Sequence, residues 1–240
     1  MSHTGTSAAA PLAAGILALV LEAAPALTWR DVQHLVVRSS NPAPVFENGG
    51  WEKNGAGLWY NPRWIILIGK KLLKLMQLTF RFGFGIMDAE KIVNLARKWE
   101  NVGEKTLCRV EGINHGRVSS RSLKGDIDDN EVYELTFPSD CDITLEHVQV
   151  LVTVEHPVRG QLEAVLVSPG GSRTRLLAPR PGDTSEAGFR DWPLTSVMTW
   201  GEAGAGDWVL YIVSRGGPGL QWRVGGCFLH LHGVTVQREK

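Results

Sequence analysis

The chain has 240 residues, 43% hydrophobic and 21% charged, an ordinary balance for a soluble globular protein of one or two domains. Lys+Arg and Asp+Glu number 25 each, so charge gives no reason to expect nucleic acid or an anionic membrane as partner. Cys108, Cys141 and Cys227 lack CxxC spacing, which weakens zinc and thioredoxin-like readings. One disulfide with a spare thiol fits the count, and so do free thiols throughout.

In chain order, the first element expected is a helix over residues 7–23. Ala and Leu dominate it and apolar residues occur all round, the pattern of a buried core helix. Pro11 is tolerated only near a helix start, which places that start close to Ser7. No basic segment precedes "PLAAGILALVL", so it does not read as a signal peptide, and the run is too short to span a bilayer. "LTWRDVQHLVV" predicts a second helix, with Thr28 as N-cap and Asp31 completing a capping box.

Trp64 to Arg81 stands out from its surroundings. Lys70, Lys74, Gln77 and Arg81 form a polar stripe among leucines, compatible with a membrane-surface helix, and Lys70 and Lys71 interrupt any span. Asp88 to Trp99 predicts a third helix, with Ile92, Val93, Leu95, Ala96 and Trp99 on its apolar face. After about residue 101 the period changes to two. Val148, Val150, Val152 and Val154 share one face of a strand; "LEAVLV", "DWVLYIV" and "FLHLH" follow it, separated by "SPGGS", "PRPGD" and "SRGGPG". The chain thus divides into a helical region at 1–100 and a β domain at 101–236, a sandwich or barrel.

The chemistry-bearing candidate is Gly5-Thr6-Ser7-Ala8-Ala9-Ala10-Pro11. Gly5 permits close backbone approach, and Ser7 at a helix N-terminus lies where free N–H groups favour an oxyanion. A serine there also serves as a plain N-cap. A serine hydroxyl needs a base to become a nucleophile. His34 reads as packed or capping. His230 and His232 alternate on one strand face, but two ligands fall short of a zinc site, so no metal site is expected.

The longer strings "SHTGTSAAAPLAAGILALVLEA", "LTWRDVQHLVVRSS", "FGFGIMDA", "TLEHVQV", "SPGGSRTRLLAPRPGDTSEAGFRDWPL" and "TWGEAGAGDWVL" resemble the subtilisin/kexin-like proprotein convertases. "NGAGLWYNPR", "FGFG" and "TWGE" lean toward their neuroendocrine branch. The resemblance implies an α+β chain. Residues 1–100 would be the helical C-terminal remnant of an α/β subtilisin-like catalytic domain, with 64–81 an atypical insert. Residues 101–236 would be an all-β, jelly-roll-like P (Homo B) domain with a structural and regulatory role.

The same resemblance makes Ser7 the catalytic serine, with His3 and Thr6 as its neighbours at the substrate cleft, and pairs Cys108 with Cys141. It implies calcium-dependent serine endopeptidase activity on precursor proteins, after paired basic residues, in the secretory pathway. The Asp and His of the subtilisin order precede the Ser. The main calcium sites and the pro-segment also lie upstream in the family, so the chain alone is expected to be inactive. The alternative is a non-catalytic P-domain module with a structural or binding role.

Three departures from the family stand out. "VRGQL" places Gln161 where relatives carry an acidic residue. Cys227 falls about where relatives place a Trp. The 64–81 insert fills what is otherwise a direct join. The helical region, short of its parallel sheet, is expected to be loosely packed.

Overall fold

The computed structural model describes residues 5–61, 82–118, 131–217 and 219–236. The insert at 64–81 and His3 lie outside the described residues. Among the described residues, one compact unit takes 5–51, 59–61 and 82–104; the other takes 52–58 and 105–236.

The first unit holds three helices: α1 (Thr6–Ala23), α2 (Trp29–Ser39) and α3 (Ala89–Ala96). The capping box of α2 forms as expected. The Asp31 N–H donates to Thr28 Oγ1, and Asp31 Oδ2 accepts the Thr28 N–H at 2.7 Å. Asp31 is also a hub, because its Oδ1 accepts Trp99 Nε1–H (2.9 Å) and the Val102 N–H (2.7 Å). Burial pushes this carboxyl up, but hydrogen bonds from Thr28, Val102 and Trp99 outweigh it and hold the group below its ordinary value. Asp88 caps α3 by accepting the Lys91 N–H. Val20, Leu35, Ile92 and Ala96 form the small core of this unit.

The buried-helix expectation for residues 7–23 is corrected. Val20 is the one buried residue of α1, while Leu12 is 70% and Leu19 is 53% exposed. The physical reason is a shortage of partners: α3 covers part of one side, and an all-round apolar helix needs neighbours on every side. The length argument against a membrane span also fails. The helix continues to eighteen residues and is long and apolar enough, by length and composition only, to cross a membrane.

The second unit is antiparallel throughout. It opens with the two-residue strand Glu52–Lys53 (β1); Trp59–Tyr60 (β2) returns the chain to the first unit. The main strands are β3 (Lys105–Glu111), β4 (Ile113–Val118), β5 (Glu131–Ser139), β6 (Ile143–Glu155), β7 (Leu162–Val167) and β8 (Arg173–Leu177). They continue with β9 (Phe189–Ser196), β10 (Gly206–Ser214), β11 (Arg223–Val224) and β12 (Phe228–Thr235). One sheet runs β4-β5-β10-β7-β8; the other runs β11-β6-β12-β3, with β9 also paired to β6.

Both sheets contribute to a single core, making a jelly-roll-like sandwich. Leu135, Phe137, Trp208 and Leu210 come from the first sheet; Val148, Val150, Val152, Val154, Leu229 and Leu231 come from the second. The four valines of β6 point inward together, as their two-residue spacing requires. Cys108 on β3 and Cys141, just before β6, are joined by a disulfide. Cys227 is a free thiol, fully buried in the same core, and burial pushes its pKa up.

Candidate active site

Ser7 is the second residue of α1 and is exposed. The plain N-cap reading does not hold: Gly5 occupies the cap, with φ 95° and ψ −174°, a conformation that disfavours any side chain. The Gly5 carbonyl accepts the Ala8 and Ala9 N–H groups at 3.1 and 3.3 Å, which leaves the N–H groups of Thr6 and Ser7 without a partner inside the helix. Pro11 lies inside the helix, one turn further in than a start position. It has no N–H to give to the Ser7 carbonyl four residues back.

Exposed Thr6 begins the helix beside Ser7. The Ser7 hydroxyl makes no hydrogen bond to any described residue, so none of the described residues is in place there as its base. His34 is buried on α2 and tilts against Trp99 at 6.2 Å between ring centres. The other described histidines belong to the β unit. His156 bonds Ser214 Oγ at 2.9 Å and accepts the Val158 N–H at Nδ1. His115 bonds Thr136 Oγ1 at 3.0 Å.

Sequence reading missed a partner for His230 and His232. The register of β6 and β12 sets His147 opposite His232, and the two rings stack 4.2 Å apart at 13°. Parallel rings direct their lone pairs side by side, and among the described residues no group of three His, Cys, Asp or Glu side chains can hold a metal ion. Burial, with His147, Lys105 and His230 alongside, pulls the His232 pKa down to about 4. Burial and Lys105 lower His147 as well.

Arg159 and Gly160 begin a short 3₁₀ turn, and Arg159 and Arg180 both pair with Asp183, at 2.9 and 3.1 Å. The Gln161 Oε1 atom is buried without a hydrogen-bond partner. Nearby, Glu163 is shared by Arg175 (2.6 Å) and Arg215 (2.5 Å). Burial pulls Arg175 down to about 10 against the opposing attraction of Glu163.

Comparison with known proteins follows the division into two units. Residues 1–85 match the subtilase family, and residues 145–221 match the proprotein convertase P-domain. The Caenorhabditis elegans protein "Endoprotease bli-4" is 41% identical over 220 residues, covering 88% of this chain and 21% of the relative. Human "Proprotein convertase subtilisin/kexin type 5" is 38% identical over 98% of this chain and 12% of its own length. "Furin-like protease 2" of Drosophila melanogaster is 38% identical over 90% of this chain and 12% of its own length.

The chain therefore spans about a quarter or less of these relatives. Among solved structures, a serine protease of Aeromonas sobria, crystallised with its chaperone, superposes with a TM-score of 0.69. The match covers 97% of this chain and 44% of that one at 22% identity, which shows a shared fold. With a subtilase match, a P-domain match and convertase relatives along nearly all its residues, the chain belongs to the subtilisin/kexin-like proprotein convertases.

Proposed function

We propose that these 240 residues are the serine-bearing C-terminal part of a convertase catalytic domain (1–100) joined to a P domain (101–236). The whole protein would be a calcium-dependent serine endopeptidase that cleaves precursor proteins after paired basic residues in the secretory pathway. One observation carries this reading: Ser7, next to a glycine cap, sits exposed on the first turn of an apolar helix inside the subtilase-matched stretch. The first-turn N–H groups and the positive end of the helix lower the cost of negative charge near Ser7 Oγ. In the subtilisin pattern a His takes the serine proton and an Asp orients that His.

The six residues before Ser7 hold one histidine, His3, and no aspartate. The 240 residues taken alone thus offer a nucleophile without its pair, and we expect no proteolysis from them. In the subtilisin example, loss of the base costs on the order of a million-fold in kcat. The test is cleavage of a fluorogenic Arg-Arg peptide by the purified chain and by its Ser7→Ala variant. Equal background from both supports the reading; cleavage that depends on Ser7 sinks the expectation of inactivity. Adding a segment that supplies the His and Asp in trans should then produce Ser7-dependent cleavage. If it does not, the assignment of Ser7 as nucleophile fails, and the non-catalytic P-domain module stands in its place.

A further inference from the structure

A strand at the edge of a sheet carries a row of unmet N–H and C=O groups, which invites another strand to pair with it. Most edges of the β unit are blunted. β4 breaks register between Asn114 and Arg117, with Gly116 at φ 79°. β8 carries Leu176 as a bulge opposite Ala164 and Val165 of β7. β9 contains Pro193, which has no N–H, and Asp191 at φ 42°, where its pairing with β6 slips. β11 is two residues long. β3 has none of these devices. Among the described residues it pairs with β12 alone, in unbroken register from Lys105 to Glu111. Its inward side chains, Thr106, Cys108 and Val110, carry no charge that would repel a newcomer.

The parity of the β3–β12 ladder decides which groups are left over. Gly112 continues the register opposite Cys227, and its N–H donates to the Cys227 carbonyl at 2.9 Å. In an antiparallel pair, residues bonded to the neighbour alternate with residues whose N–H and C=O point away. Val110, Cys108 and Thr106 therefore bond β12, and Glu111, Arg109, Leu107 and Lys105 turn their backbone groups outward. The side chains of those same residues are the exposed ones of the strand. Leu107 is 55% exposed, a large apolar side chain beside an open edge. The Arg109 guanidinium lies 4.0 Å from the centre of the Phe228 ring on β12, which holds it against the outer face of the sheet.

The strand reads KTLCRVE, and it complements itself when reversed. Turned about Cys108, Lys105 falls opposite Glu111, and Leu107 falls opposite Arg109. All of these turn their backbone groups outward, so each position can close a hydrogen-bonded pair. A turn about Leu107 would set Lys105 against Arg109, and a turn about Arg109 would set that residue against its own copy. Both bring like charges together. We propose that β3 is a dimerisation edge, pairing antiparallel with β3 of a second copy of this chain about a two-fold axis at Cys108. Lys105 then meets the partner's Glu111, and Glu111 meets the partner's Lys105, as a two-fold interface requires. The aliphatic stem of the partner's Arg109 covers Leu107. The two sheets that end in β3 become one. A single strand pair buries less surface than a standard interface, so the dimer is weak, with a Kd on the order of 100 μM.

The test is sedimentation of the full 240-residue chain from micromolar to millimolar concentration, with hydrogen exchange at both ends of that range. Low salt keeps surface charge least screened. These readouts do not involve peptidase activity, so the protease reading stands or falls separately. A reversible dimer should form. Exchange at Lys105, Leu107, Arg109 and Glu111 should slow as concentration rises, while Thr106, Cys108 and Val110 stay protected throughout. Lys105→Glu and Glu111→Lys should each raise the Kd about tenfold, since each turns both symmetry-related charge pairs from attractive to repulsive.

Mixing the two charge variants tests the register. Each supplies the charge that the other lacks, so the mixed dimer should regain the native Kd although neither variant does so alone. A chain carrying Lys105→Glu and Glu111→Lys together should regain it as well. Leu107→Pro removes an outward N–H and leaves the bonds to β12 in place, so it should abolish the dimer. The β10 amides control for the fold; should Leu107→Pro loosen them, the charge-exchange set decides. A chain that stays monomeric to millimolar concentration overturns the proposal. So does association that is indifferent to Leu107→Pro and to both charge variants, or a mixture that associates no more tightly than its components.

Discussion

The helical and β units solve the same problem with unequal means. Among the described residues, the β unit closes two sheets over one core of twenty-two buried residues, whereas the helical unit gathers four, Val20 among them, and leaves most of α1 exposed. Hydrophobicity is not what separates them, since α1 is the most apolar stretch among the described helices. What separates them is whether each apolar face has a partner. A strand's alternation guarantees that one face can be shared with the opposite sheet; an all-round apolar helix requires neighbours on all sides.

The contrast can be broken by truncating one leucine in each unit. Leu210→Ala on β10 removes a fully buried side chain and should cost roughly 2–5 kcal/mol in a urea titration. Leu12→Ala on the exposed side of α1 should stay within about 0.5 kcal/mol. A large effect at Leu12 would mean that α1 is packed after all. The staple of the β unit comes next. Replacing Cys108 and Cys141, 33 positions apart, by alanine should cost roughly 3–4 kcal/mol in the chain-entropy account. The loss should appear in the β10 amides by hydrogen exchange and leave those of α2 unchanged; equal loss in both would contradict two separate units.

Smaller effects sharpen the same comparison. Asp31→Ala orphans the N–H groups of Thr28, Val102 and Trp99 in the helical unit. The expected loss is about 2 kcal/mol, read as faster exchange along α2. Conservation of α2 protection in this variant would show that the hub does not hold the unit.

The β unit should respond to mild acid. Burial lowers the pKa of His147, His156, His230 and His232, the last to about 4. The unfolded chain takes up protons near pH 6.5 while the folded chain resists. Stability is therefore full above about pH 6.5 and is lost progressively as the pH falls toward 4. The stacked pair is faced by Lys105 from β3, Glu146 from β6 and His230 from β12, and His230 by Arg109. His232→Gln should flatten the slope; an unchanged slope would exclude the stack as its source.

How legible these features were depended on the range of the contacts. The β6 valines announce their face through spacing alone, and the Thr28–Asp31 box is a relation over three residues. Both are local, and both stand in the structure. The His147–His232 stack and the Asp31–Trp99 bond join distant stretches, and no periodicity encodes them. Ser7 shows both sides of this. That a helix begins there was readable from Pro11 and the alanines. That Gly5 takes the cap position, leaving the serine exposed as the second residue of the first turn, depends on a backbone angle that composition does not specify.

Cys227 carries a last consequence. A chain with three cysteines has three ways to form one disulfide, and one of them is found. Cys227 sits at the start of β12, and its carbonyl accepts the Gly112 N–H as that strand pairs with β3, the strand bearing Cys108. Its thiol, held protonated by burial, is then withdrawn from exchange. Docking of β12 before oxidation therefore favours the Cys108–Cys141 pairing. Fidelity of the bridge is thus a question of timing, decided by which arrives first, the last strand or the oxidant.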